Sequence, residues 1–142
     1  MPNTPPLLVA GGDIYPSRFV TLSTSEDNTG IQSTANSEII GVSQVGTNYP
    51  PLDNLSLDGY AATDGQPFRL IGDGEQCLVE AGGVITNGQK LMSDGDGKAV
   101  AIATTGTTIQ NSGAIALQSA SASGVMILVQ VNALQKTRPA LT

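Results

Sequence analysis

The 142-residue chain contains no histidine and no tryptophan, a single cysteine, and only 13% charged and 4% aromatic residues. The missing histidine removes the commonest general base, the commonest metal ligand and the middle member of a Ser-His-Asp triad. One cysteine, Cys77, leaves no internal disulfide to hold the fold, and the chain is expected to be made in a reducing cytosol. Its six cations, Arg18, Arg69, Lys90, Lys98, Lys136 and Arg138, stand against twelve Asp and Glu, for a net charge of −6. They are scattered, whereas a phosphate backbone or an anionic membrane surface calls for a basic cluster. Neither nucleic acid nor a membrane is therefore an expected partner. The longest apolar runs, Val125 to Val129 and Ala99 to Ala103, are far shorter than the about 20 residues that span a bilayer. The opening Met1-Pro2-Asn3-Thr4-Pro5-Pro6 lacks the positive region of a secretory signal.

Seventeen glycines, eight prolines and many Ser, Thr, Asn and Gln residues fill the space that charge leaves. Gly, Pro or an Asx-Gly pair interrupts nearly every stretch, so no helical periodicity survives. Strand patterns recur instead, at residues 18–23, 38–45, 67–71, 76–80, 90–93, 99–103, 114–118 and 125–131. Gly72-Asp73-Gly74-Glu75 has the composition of a hairpin turn between the third and fourth of these. Asp94-Gly95-Asp96-Gly97-Lys98 has the same composition between the fifth and sixth. Short strands with turns between them predict an all-β fold, a small β-barrel or β-sandwich, as one domain over residues 18–134. An extended N-terminal arm is expected over residues 1–17, where Pro2, Pro5, Pro6 and Pro16 surround the apolar Leu7-Leu8-Val9-Ala10. Residues 46–66 read as a long loop and 135–142 as an exposed tail.

No catalytic, cofactor or metal site emerges. Ser93-Asp94-Gly95-Asp96-Gly97 has the oxygen donors of a calcium loop, but an EF-hand spacing started at Asp94 puts Ala99 where glycine belongs and Thr105 where glutamate belongs. The carboxylate pairs Asp73/Glu75 and Asp94/Asp96 lie in turns, where water favours the ionised form over a perturbed catalytic acid. Cys77 has no histidine to activate it and reads as a small core residue. Gly82, Gly83 and Gly88 make no Gly-x-Gly-x-x-Gly fingerprint and suit tight turns beside a short strand. The chain is not expected to be an enzyme.

The order of motifs nevertheless resembles a known family. Ile39-Ile40-Gly41-Val42-Ser43 is followed by Asp58-Gly59-Tyr60-Ala61-Ala62-Thr63-Asp64-Gly65 and then by Ala81-Gly82-Gly83-Val84-Ile85-Thr86-Asn87-Gly88-Gln89-Lys90-Leu91. Ser93 to Val100 comes directly after. Ala116-Leu117-Gln118-Ser119-Ala120-Ser121-Ala122-Ser123-Gly124 then leads into the closing apolar strand. In this the chain is similar to the capsid decoration, or cement, proteins of tailed bacteriophages. The resemblance implies an all-β structural protein, commonly a homotrimer, on the outer surface of the virion. It would bind where major capsid protein subunits meet and brace the shell. The arm role of that family would fall here on Pro5, Pro6, Leu7, Leu8 and Val9. The alternative is a non-catalytic carbohydrate-binding or fibre/adhesin-like module, with Tyr15, Tyr49 and Tyr60 stacking on sugars; the poverty of aromatics weighs against it.

Overall fold

The computed structural model describes residues 8–43, 62, 64–68, 70–102 and 109–137. Every regular element among them is a strand: β1 (Leu8–Ala10), β2 (Phe19–Leu22), β3 (Thr29–Gln32), β4 (Gly41–Ser43), β5 (Pro67–Phe68), β6 (Leu70–Ile71), β7 (Gln76–Glu80), β8 (Lys90–Ser93), β9 (Ala99–Ala101), β10 (Gln110–Ala116) and β11 (Met126–Thr137). They form a six-stranded sheet, in the order β5-β1-β3-β2-β4-β6, and a five-stranded sheet, in the order β7-β11-β10-β8-β9. The all-β expectation holds.

The first sheet curls on itself. β5 and β6 follow one another in the chain with residue 69 between them, yet they occupy opposite edges, β5 against β1 and β6 against β4. Curling brings the two edges towards one another, and each edge is a strand of only two residues that offers little for another chain to pair with. Ala10, Ile14, Val20, Ala62 and Phe68 fill the inside of the curl, with Leu8, Ile40 and Leu70 beside them. Gly30 makes room for this filling, because a Cβ there would lie 2.8 Å from Phe68 Cζ and 3.1 Å from Val20 Cγ1.

The second sheet packs against the outside of the curl. Phe19, Ile39 and Val42 meet Cys77, Val79, Leu91, Ile127, Val129 and Val131 in the main core. Small residues at Ala81, Ala99, Ala114, Ala116 and Ala120 let the layers approach closely. Phe19 and Val20 are both fully buried because β2 has core on each side.

Three features differ from the sequence reading. Gly72 to Glu75 is a tight turn, with Glu75 N donating to Gly72 O at 3.2 Å and Gly74 at φ +86°, but it is not a hairpin. It hands the chain from the curled sheet to the second sheet, where β7 pairs with β11. Residues 8–14 are also knitted into the curl: β1 runs parallel to β3 and antiparallel to β5, and Ile14 bridges Ala62. The β10–β11 ladder continues to Gln110 opposite Thr137, into residues read as the start of a tail. The long loop read at 46–66 lies outside the described residues except at 62 and 64–66, as do Tyr49 and Tyr60.

Candidate docking faces

Of the five arm residues proposed to touch a capsid or a neighbouring subunit, Leu8 and Val9 belong to β1; Pro5, Pro6 and Leu7 lie outside the described residues. Leu8 sits opposite Phe68 and packs against the filling of the curl, while Val9 is 36% exposed. Only Val9 of the pair thus offers an appreciable apolar surface outward.

The acidic turns serve structure. Asp94 Oδ1 accepts from Asp96 N at 2.8 Å and from Lys98 N at 2.9 Å, closing the β8–β9 hairpin that the sequence predicts. A Cβ on Gly82 would collide with Asp94 Oδ2, so the Ala-Gly-Gly stretch and the Asp-Gly-Asp-Gly stretch are cut to fit one another. Gly82 N donates to Ala99 O at 2.7 Å where they meet. Asp73 Oδ1 accepts from Ala133 N at 2.9 Å, and Glu75 Oε1 from Gly72 N at 3.0 Å. Among the described residues no group of three or more acidic or cysteine side chains converges as a metal site would require. Cys77 lies in the main core, and burial first, then the Glu75 charge, pushes its thiol from an ordinary 9.0 to about 11, away from reactivity.

The densest polar cluster rivets the two sheets together. Arg18 Nη2 lies 3.3 Å from Glu80 Oε1, and Lys98 Nζ lies 3.2 Å from Glu80 Oε2. Arg18 Nη1 and Gln32 Nε2 each donate to Asp96 O at 2.9 Å, and Phe19 N donates to Gly97 O at 2.8 Å. The Arg18 guanidinium also covers one face of the Tyr15 ring at 5.0 Å, so a sugar could not stack there. A second rivet is Asn36, held at φ +57°, whose side-chain oxygen accepts from Asn111 N at 2.9 Å and whose carbonyl accepts from Asn111 Nδ2 at 2.8 Å.

Among the described residues, two apolar surfaces stand out beside these polar contacts. One is a groove of about 470 Å³ lined by Leu22, Ile31, Ile40 and Leu134 with Thr21, Thr24, Ser37 and Glu38. Leu134 is 57% exposed and sits at φ +58°, within the register shift of the β10–β11 ladder between Val131 and Gln135. A bulge of this kind re-aims a side chain. The other surface is the outward face of the second sheet. Cys77 and Val79 of β7, and Ile127 and Val129 of β11, point into the core, so alternation turns Leu78 and Leu128 outward. Leu78 stands opposite Leu128 in the ladder, and Leu117 N donates to Leu128 O at 2.9 Å on the far side. Three leucines therefore form one row, from β7 across β11 to the residue just after β10, with Leu78 at 48%, Leu117 at 39% and nearby Met126 at 43% exposure. Sequence reading found these strands but not the row. The clue was present: Cys77-Leu78-Val79 and Met126-Ile127-Leu128-Val129 are continuous apolar runs where a half-solvated strand would alternate.

The chain matches no protein-family model and no curated protein. Among solved structures it is similar to the N base of the head fiber gp8.5 of bacteriophage phi29. The sequence identity is 17%, the TM-score 0.54, and the match covers 93% of this chain and 95% of that one. What the two chains share, almost end to end, is the fold.

Proposed function

We propose that this chain is a non-catalytic structural protein of a tailed-phage head. It binds the outer surface of the shell where major capsid protein subunits meet, acts as a homotrimer, and stabilises the shell without cofactor or metal. The observation that carries this reading is the near-complete fold likeness to a protein whose name places it in a phage head fiber. The Gly/Asp motifs at 81–100, which resemble those of decoration proteins, support it from the other side. Physical chemistry agrees: multivalent attachment makes weak individual contacts strong together, and an acidic surface without a basic cluster does not compete for the packaged DNA. A second reading is the base of a head fiber, favoured by the name of the structural neighbour alone.

The test is co-sedimentation of the purified chain with shells assembled from the major capsid protein of the phage that carries it. Saturable binding at a fixed number of copies per shell is expected. Failure to pellet with intact shells would overturn the reading. Density that continues outward from the bound chain, in images of complete virions, would favour the fiber base.

A further inference from the structure

We propose that the leucine row of the second sheet is the surface on which one copy of this chain meets another; the inference deepens the homotrimer of the proposed function and rests on that reading. Leu78, Leu128 and Leu117 stand side by side across β7, β11 and the end of β10, with Met126 next to them on β11. Ile115 and Met92 extend the apolar field along β10 and β8, on the face opposite the buried Ala114, Ala116 and Leu91.

The charge distribution selects the occupant. Two copies of a chain with net charge −6 repel one another over most of their surface. This face is the exception. Among the described residues its rim carries the amides Gln76, Gln118 and Gln130 with Lys90, Glu80 at its edge is already paired with Arg18 and Lys98, and the two acids at its end, Asp73 and Glu75, accept from the backbone amides of Ala133 and Gly72. Copies that meet over the leucines bring amides and apolar side chains together at the centre and keep the Asp73–Glu75 turn at the margin. The groove at Leu22 and Leu134 has a carboxylate, Glu38, within its lining.

Size is consistent with this role. Four strands about 4.8 Å apart and three outward rows about 6.8 Å apart give an apolar field on the order of 200 Å². A standard interface buries about 800 Å² per partner, so the leucines are its dry centre and the glutamines its polar rim. Gln118 is already fixed for that purpose, its Oε1 accepting from Leu128 N at 2.9 Å.

The experiment compares the solution mass of the full chain with those of Leu78→Gln/Leu128→Gln and Leu22→Gln/Leu134→Gln, by light scattering after size exclusion. Circular dichroism confirms that each variant is folded, and shell binding is measured in parallel. The wild-type chain and the groove variant should be multimers of equal mass. The leucine-row variant should fall to a single chain or associate at least about tenfold more weakly, because one buried leucine contributes about 1.5–3 kcal/mol and tenfold is about 1.4 kcal/mol. A monomeric wild type, an unchanged mass in the leucine-row variant, or loss of the multimer in the groove variant would each overturn the proposal. A multimer that depends on the leucine row yet does not bind shells would support this surface and overturn the phage-head reading, so the two failures are separable.

Discussion

The curled sheet and the second sheet handle burial in opposite ways. In the curl, β1 to β6 are two to four residues long, and β2 carries core on both faces. Its cohesion comes from closure, with β5 and β6 meeting the two ends of the sheet, and from an aromatic, Phe68, lodged over Gly30. In the second sheet, β10 and β11 run for seven and twelve residues, and one face is core while the other looks outward. Closure and riveting lend stability where strands are too short to supply it by ladder alone. The long ladder leaves an outer face free to carry a contact surface.

The sharpest way to break this comparison is at the residue that serves both parts. Phe19 lies on β2 of the curl but fills the core between the sheets, fully buried. Phe19→Ala should cost about 3–5 kcal/mol, read from the midpoint of a denaturant titration. Fluorescence and circular dichroism should report one shared transition; two separated transitions would mean that the curl and the second sheet unfold independently. Next comes the seam of the curl. A Cβ on Gly41 would run into Ile71 O, a backbone atom of the neighbouring β6 that cannot swing aside. Gly41→Ala should destabilise by about 1–3 kcal/mol or more. Glu80→Gln tests the rivet between the sheets: it leaves Arg18 and Lys98 without their carboxylate at a half-buried position and should cost about 1–2 kcal/mol.

Cys77 gives a pH test of the main core. Its thiol is raised in the folded chain to about 11 from an ordinary 9.0. The unfolded chain therefore loses that proton first, and stability should fall as pH rises from about 9 to about 11, with no contribution from this group below that window. A Cys77→Ala variant should lack that part of the decline. The smallest effect is expected at Val84, 72% exposed, where Val84→Ser should change stability by no more than about 0.5 kcal/mol.

The same contrast explains what could be read from the sequence. β7 and β8 have the predicted limits, and the β8–β9 hairpin forms around Asp94, because local alternation and turn residues specify them. β3, Thr29–Gln32, carries no such signal: Gly30 is there to admit Phe68, a residue 38 positions away in sequence. β1 hides among prolines because its partners, β3 and β5, are remote. The turn at 72–75 was recognisable, but which sheet each flanking strand would join depends on tertiary pairing. The apolar runs that feed the leucine row were legible, but the row itself was not, for a related reason. Leu78 and Leu128 belong to different strands and Leu117 follows the end of β10, so only the ladder register makes them neighbours. The Arg18 rivet likewise joins residues separated by 62 and 78 positions.

The central claim, that the chain braces a phage shell, is tested most directly by heating DNA-filled heads that lack it, with and without the purified chain added back at saturation. The account predicts that bound chain raises the temperature at which the heads release their DNA. Release at an unchanged temperature from heads shown to carry the chain would contradict it.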